Sequence, residues 1–245
     1  MSIQRVSIIL PAYNEAGNIV ELVRGIIASM PEKYAYEIVV VDDNSPDGTY
    51  QLVCDAFMNL PQVIAILRTR DRGLAKSIRA GIERASGEYV VVMDADFTHD
   101  PKEIPNLLHV VQICDIVSGS RFCAGGRMSD TRHYLLSLAY NWMLRIVLRT
   151  QIQDNSGGFF VARRETLLSL PFDEIFFDYG DYFFRLLHFA QRGQLKIIEI
   201  PAEYLARGHG VSKSHWLWMF VGYTRAAVRL RIRMMRIGRG QAGKS

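Results

Sequence analysis

The chain has 245 residues, 49% of them hydrophobic and 22% charged, which is enough for one full core and too apolar for a disordered segment. Its three cysteines, Cys54, Cys114 and Cys123, form no close pair, so a reducing, cytoplasmic setting is expected, with neither a disulfide framework nor a C-x-x-C metal site. The net charge is only +4, but residues 225–244 carry basic side chains and no acidic ones; no nucleic acid partner is expected.

Taken in chain order, apolar β-branched runs at residues 6–10, 37–41, 63–67, 89–93 and 116–118 predict strands. Between them, residues 18–29, 49–58, 74–85 and 102–111 have helical periodicity. Asp100 and Pro101 stand where the last of these helices needs its cap and its first residue. Strand and helix in alternation predict an α/β fold with a mostly parallel sheet. Beyond residue 120 the pattern changes to an amphipathic helix at 132–148, a strand at 158–162, a helix at 182–191 and a strand at 196–200. No apolar stretch reaches the about 18 to 20 residues that span a bilayer, and residues 1–10 run straight into a strand rather than a signal peptide, so no membrane crossing is expected.

In open α/β sheets ligands bind beyond the carboxyl ends of the strands, and polar residues concentrate there in this chain. Residues 11–15, 42–47 and 94–98 are therefore expected to converge on one crevice. After the first strand, Pro11-Ala12-Tyr13-Asn14-Glu15-Ala16-Gly17 replaces the G-x-G-x-x-G of a dinucleotide-binding dehydrogenase, which disfavours that class. Tyr13 and Glu15 are candidates for stacking on a base and accepting from a ribose, although this segment alone reads better as a loop leading into a helix. In Asp42-Asp43-Asn44-Ser45-Pro46-Asp47-Gly48-Thr49 most polar residues read as turn and cap, with Asp47 or Thr49 capping the next helix. Asp42, directly at the strand end, is the functional candidate there.

Asp94-Ala95-Asp96 sets two carboxylates two residues apart at the end of a buried strand. Such a pair suits Mg²⁺ or Mn²⁺, which bind through one or two carboxylates plus substrate phosphate oxygens. A lone D-x-D is a weak motif; its phase with the two earlier polar strand ends gives it weight. The basic turn at 68–72 before Gly73-Leu74-Ala75-Lys76 reads equally as a phosphate contact or a solvated loop. Gly119-Ser120-Arg121 follows the fifth strand, where Arg121 suits a phosphate, while Arg132 and Ser137 also fit an ordinary amphipathic helix. Asp178 and Asp181 flank Gly180 and double as helix caps. Arg207 and Lys213 sit in a glycine-bearing loop able to close over a phosphate. His99, His209 and His215 have no metal-site spacing and are assigned no such role. The tail at 216–237 mixes Trp216, Trp218, Phe220 and Tyr223 with Arg225, Arg229, Arg231, Arg233 and Arg236. It reads as a segment lying in a membrane interface, with packing on the domain or on a partner subunit as the plainer reading.

These segments, in this order, resemble family 2 glycosyltransferases of the dolichol-phosphate mannosyltransferase type over roughly residues 5–215. The resemblance implies a GT-A fold, a mostly parallel twisted sheet flanked by helices, with a catalytic domain at 1–213 and a basic amphipathic helix and tail at 214–245. It implies a nucleotide sugar held by Pro11, Tyr13, Glu15, Val40, Asp42, Asp94, Ala95, Asp96, Arg121, Arg207 and Lys213. It implies Mg²⁺ or Mn²⁺ on Asp94 and Asp96, with Thr98, standing where relatives carry a Gln or Ser, as the third candidate ligand, through its hydroxyl or through water. The acceptor phosphate falls to Arg121, Arg132 and Ser137, and the catalytic set is Asp94, Asp96, Arg121 and Asp181. The implied reaction is inverting transfer of a hexose from a donor of the GDP-mannose or UDP-glucose type to a polyprenyl or dolichyl phosphate, by a peripheral protein at the cytoplasmic membrane face. Two alternatives stay open. One is transfer to a sugar hydroxyl of a polysaccharide or glycolipid, with Asp178 or Asp181 as the base. The other is a nucleotide-sugar-binding scaffold docked on a membrane-spanning partner subunit.

Overall fold

The computed structural model describes residues 4–177, 180–206, 208 and 216–242. Seven strands form one sheet: β1 (Gln4–Ala12), β2 (Tyr34–Asp42), β3 (Val63–Leu67), β4 (Tyr89–Val92), β5 (Ile116–Ser120), β7 (Phe160–Arg163) and β8 (Ile197–Pro201). Their order is β3-β2-β1-β4-β7-β5-β8, parallel throughout except for β7, which runs antiparallel to both β4 and β5. Two short strands, β6 (Arg127–Met128) and β9 (Glu203–Tyr204), pair separately. The mostly parallel sheet is thus as expected.

Parallel strands buried on both faces carry continuous apolar runs, and the alternation within them decides which helix layer each side chain meets. Val6, Ile8 and Leu10 of β1 face one layer with Ile38 and Val40 of β2. That layer holds α1 (Ile19–Ser29) and α4 (Ile104–Val110), and α1 supplies Ile19, Leu22, Val23 and Ile26 at the spacing of one helix face. Ile9, Val39 and Val41 face the other layer, where α3 (Leu74–Arg84) and α8 (Tyr182–Arg192) pack. At Gly81 the α3 backbone rests on the sheet so closely that a Cβ would lie 2.3 Å from Ile9 Cγ2. Helix α2 (Thr49–Ala56) links β2 to β3, and α6 (Arg164–Ser169) and α7 (Phe172–Ile175) follow β7.

Strand order reverses at β1, with β2 on one side and β4 on the other, so the ligand crevice of such a sheet lies beyond the ends of these strands. At one flank stand the long helices α5 (Thr131–Leu148) and α9 (Trp216–Ala242). They share with α8 a third cluster of Leu144, Leu148, Phe184, Ala227, Leu230 and Met234. The other side of α5 exposes Leu135, Leu136, Leu138, Trp142 and Ile146, and α9 exposes Phe220, Val228, Ile232 and Met235. Among the described residues no helix is long and apolar enough to cross a membrane.

Candidate active site

The loops after β1 and β2 are stitched together by side chains of the second. Ser45 Oγ accepts from the Asn14 amide at 2.9 Å, Thr49 Oγ1 from the Glu15 amide at 2.9 Å, and Asp47 Oδ2 from the Ala16 amide at 3.0 Å. Asp47 also accepts from the Thr49 amide and hydroxyl, although the N-cap position of α2 itself falls to Gly48, not to Asp47 or Thr49. Asp42 is fully buried and bound by the Ser45 amide (2.9 Å) and hydroxyl (2.5 Å). Asp43 closes the next loop, accepting from Arg68 Nη1 and the Gly73 amide at 2.6 Å each, while Arg68 also reaches Ser77. The basic turn at 68–72 is therefore a clamped loop, and Arg72 lies over the exposed Tyr13 ring at 6.0 Å. Asn14, Asn44 and Phe97, one in each loop, hold left-handed φ values of 56°, 56° and 68°, the strained backbone that collects at binding sites.

Pro11, Ala95 and Glu15 line this end of the sheet, and Glu15 accepts from Asn18 Nδ2 at 2.7 Å. Val40 does not join them. Its side chain points into the α1 layer and is 1% exposed; Asp42 shares that face of β2 but stands at the strand end, whereas Val40 lies two residues inside the sheet.

In the loop after β4, Asp96 is buried and its Oδ1 accepts from both the amide (3.0 Å) and the hydroxyl (2.5 Å) of Thr98. The Asp94 side chain is 40% exposed. Two carboxylates and a hydroxyl make an all-oxygen donor set, which fits Mg²⁺ or Mn²⁺ when substrate oxygens or water complete it. Among the described residues no group of three or more His, Cys, Asp or Glu side chains is arranged to hold a metal. Residues 204–206 and Gly208 lie alongside, with the Leu205 amide on Thr98 O and the Gly208 amide on Asp96 O. Arg207, Lys213 and Asp178 lie outside the described residues.

Arg121 at the end of β5 is buried and held bidentately by Asp154, at 2.8 Å from Nε and 2.7 Å from Nη2. Burial opposes its charge, but the Asp154 carboxylate outweighs that and keeps the guanidinium firmly protonated. Nη2 also donates to Ser156 Oγ, and the plane stacks over Tyr204 at 4.7 Å. Ser156 in turn accepts from Asn141 on α5, whose Oδ1 takes the Asn155 amide. Gly157 must be glycine, since a Cβ there would lie 2.5 Å from the Tyr204 hydroxyl. Asp154, Asn141 and Tyr204 are not among the residues expected at the site, because the contacts that bring them to Arg121 form only in the fold.

Arg132 is exposed in the first turn of α5, which Asp130 caps, and Ser137 is half-buried one turn before Asn141. Asp181 is buried, and its Oδ2 accepts from Arg185 Nε at 2.6 Å within the first turn of α8. Beside α5 opens a cavity of about 380 Å³ lined by Phe122, Leu135, Leu138, Ala139, Asn141, Trp142, Arg145 and Gln153.

Comparison with known proteins agrees with this geometry. Among solved structures, glucosyl-3-phosphoglycerate synthase from Mycobacterium tuberculosis, in complex with Mn²⁺, UDP and glucosyl-3-phosphoglycerate, superposes with a TM-score of 0.70 at 21% identity, over 93% of this chain and 80% of that one. Its complex with Mn²⁺ and UDP-glucose gives 0.70 at 20% identity, over 93% and 79%. At such identity the likeness carries the fold, GT-A, and nothing further. Among curated proteins, the dolichol-phosphate mannosyltransferase of Pyrococcus furiosus is 35% identical over 85% of this chain, which spans only 59% of that protein's length. The undecaprenyl-phosphate mannosyltransferase of Micrococcus luteus is 33% identical over 85% of this chain and 87% of its own. The polyprenol monophosphomannose synthase of Mycolicibacterium smegmatis is 32% identical over 86% and 81%. The description "Glycosyl transferase family 2" matches residues 7–170, the span that carries the stitched strand-end loops and the Asp94–Asp96 pair, and the chain belongs to that family.

Proposed function

We propose that this glycosyltransferase moves a hexose, mannose by the names of its relatives, from a nucleotide donor such as GDP-mannose to a polyprenyl phosphate, with inversion at the anomeric carbon. The observation that carries the lipid acceptor is α5. Its exposed face bears Leu135 at 60% and Trp142 at 65% exposure beside an apolar cavity, and Asn141 on the same helix is hydrogen-bonded to the network that holds Arg121. An exposed apolar patch next to a polar site suits a ligand with a greasy chain and a charged head better than it suits a saccharide.

In this reading Tyr13, Glu15 and Asp42 receive the nucleoside, and Asp94 and Asp96 hold the divalent ion, with Thr98 orienting Asp96 and at most a weak ligand itself. The ion supplies Lewis-acid stabilisation of the departing diphosphate. Arg121, rigidly placed by Asp154, has Nη1 uncommitted among the described residues and turns it to a phosphate oxygen, with Arg132, Ser137, Arg207 and Lys213 as further phosphate contacts. A phosphate monoester has its second pKa near about 6, so the acceptor is already ionised at neutral pH and needs no protein base. The pairing of Asp181 with Arg185 agrees with that and disfavours a sugar hydroxyl acceptor. Residues 216–237 and the exposed side of α5 rest on the cytoplasmic face of the membrane, with residues 1–213 forming the catalytic domain. A docked membrane-spanning subunit is compatible with the same surface.

Thermal unfolding across GDP and UDP sugars, with and without Mn²⁺, tests the donor half. One donor should raise the melting temperature only with the metal, by mass action, and no metal-dependent shift with any donor contradicts it.

A further inference from the structure

Gly157 and Gly158, the two residues ahead of Phe159 and β7, each lie under a tyrosine hydroxyl. A Cβ on Gly157 would stand 2.5 Å from the Tyr204 oxygen, and one on Gly158 would stand 2.9 Å from the Tyr182 oxygen. The two hydroxyls differ in what they meet. Tyr204 reaches Gly119 O at 3.4 Å, whereas the hydroxyl of Tyr182, a residue 3% exposed, makes no hydrogen bond among the described residues. A buried polar group left unpaired costs free energy and calls for an explanation.

The position of Tyr182 supplies one. It opens α8, and its ring is fixed by Phe176 (centroids 5.9 Å, stacked) and Phe183 (6.2 Å, edge-on). β4 and β7 pair antiparallel with Val91 opposite Val161 and Val92 opposite Phe160, so the same register carried two residues further sets Gly158 level with Asp94. The Tyr182 hydroxyl therefore stands beside the strand end that bears the Asp94–Asp96 pair. Burial first, and then the charge of Asp94, raise its pKa well above the ordinary tyrosine value, so it keeps its proton and is able to donate. In a nucleotide sugar the hexose is joined directly to the diphosphate, so a diphosphate held at Asp94 and Asp96 brings the hexose into this neighbourhood. Its hydroxyls both donate and accept.

We propose that Tyr182 is a specificity-determining residue for the donor sugar, its hydroxyl hydrogen-bonded to a hydroxyl of the hexose. The sugar then supplies the partner that the protein does not. The inference rests on the reading of Asp94 and Asp96 as the pair that holds the donor's diphosphate.

The test compares the wild type with Tyr182→Phe, which removes the oxygen and keeps the ring packing. Affinities for GDP-mannose, UDP-glucose, GDP and UDP are measured by calorimetry with Mn²⁺. The variant should bind the sugar nucleotide about 2- to 10-fold more weakly, the worth of one neutral hydrogen bond, and the nucleoside diphosphate as tightly as the wild type does. Its melting temperature without ligand should be no lower, because no hydrogen bond within the protein is lost. Monodeoxy analogues of the donor that binds identify the contact: the one lacking the paired hydroxyl should lose affinity in the wild type and lose nothing further in Tyr182→Phe. Unchanged affinity of Tyr182→Phe for the sugar nucleotide overturns the proposal. Equal losses for sugar nucleotide and nucleoside diphosphate overturn it too, as does a full set of analogues that lose as much in the variant as in the wild type. A wild type that binds neither GDP nor UDP with Mn²⁺ contradicts the diphosphate reading itself, and this inference falls with it.

Discussion

The two sides of the crevice are built by opposite means. Around β1, β2 and β4, carboxylates are tied by short polar bonds, as Asp42 is to Ser45, Asp96 to Thr98 and Asp43 to Arg68. Around α5 and α9 the surface is apolar and open, with Leu135, Trp142 and Ile146 facing outward. A site preorganised by hydrogen bonds suits a ligand whose charges must be met at fixed points, whereas an open apolar face suits a flexible chain. The Arg121–Ser156–Asn141 chain joins the two sides.

Four changes break or sharpen this contrast. Asp154→Asn removes the partner of a buried guanidinium, and urea unfolding should show a loss of about 3 to 5 kcal/mol, because the Arg121 charge is left uncompensated. Asp96→Ala, which leaves the Thr98 amide and hydroxyl without their acceptor, should cost about 1 to 3 kcal/mol of stability and, in protein that is still folded, lower the transfer rate about 10²- to 10³-fold in a radiolabelled sugar assay. On the apolar side, His188 is buried near Arg192 and Arg231, and burial first, then those cations, lower its pKa from 6.5 to about 4. As pH falls, the unfolded chain takes up this proton before the folded one. Stability is therefore intact above pH 6.5 and declines between 6.5 and 4, by about 3 kcal/mol in total. His188→Leu should flatten that limb in denaturation curves recorded across the window. Trp142→Ser should change stability by no more than about 0.5 kcal/mol, as exposed positions do, while raising KM for a long-chain acceptor and leaving that for the nucleotide sugar unchanged.

The β1–β4 side is legible in the sequence because each strand is a continuous apolar run followed by polar residues, so strand ends and candidate ligands are read together. The antiparallel course of β7 was not legible, since apolar runs encode burial and not direction. Neither were β6, β9, α6 and α7, which are too short to show a period. Val40 shares a face of β2 with Asp42 but lies inside the strand and packs into the core, a depth in the sheet that a matched position does not reveal. Asp181 drew notice as a carboxylate before a helix, but its partner Arg185 one turn later was overlooked, although i, i+4 spacing is a signal that sequence does carry. Asp154 carries no such signal, since its partner Arg121 is met only through the tertiary fold.

The central claim is metal-dependent sugar transfer to a lipid phosphate. Its most direct test supplies the protein with undecaprenyl phosphate and each of GDP-mannose and UDP-glucose, with Mn²⁺ or with a chelator, and measures labelled sugar in the organic phase. One donor should give a lipid-linked product that requires Mn²⁺ and disappears with Asp96→Ala. No lipid-linked product from either donor, or equal product in the chelator, contradicts the account.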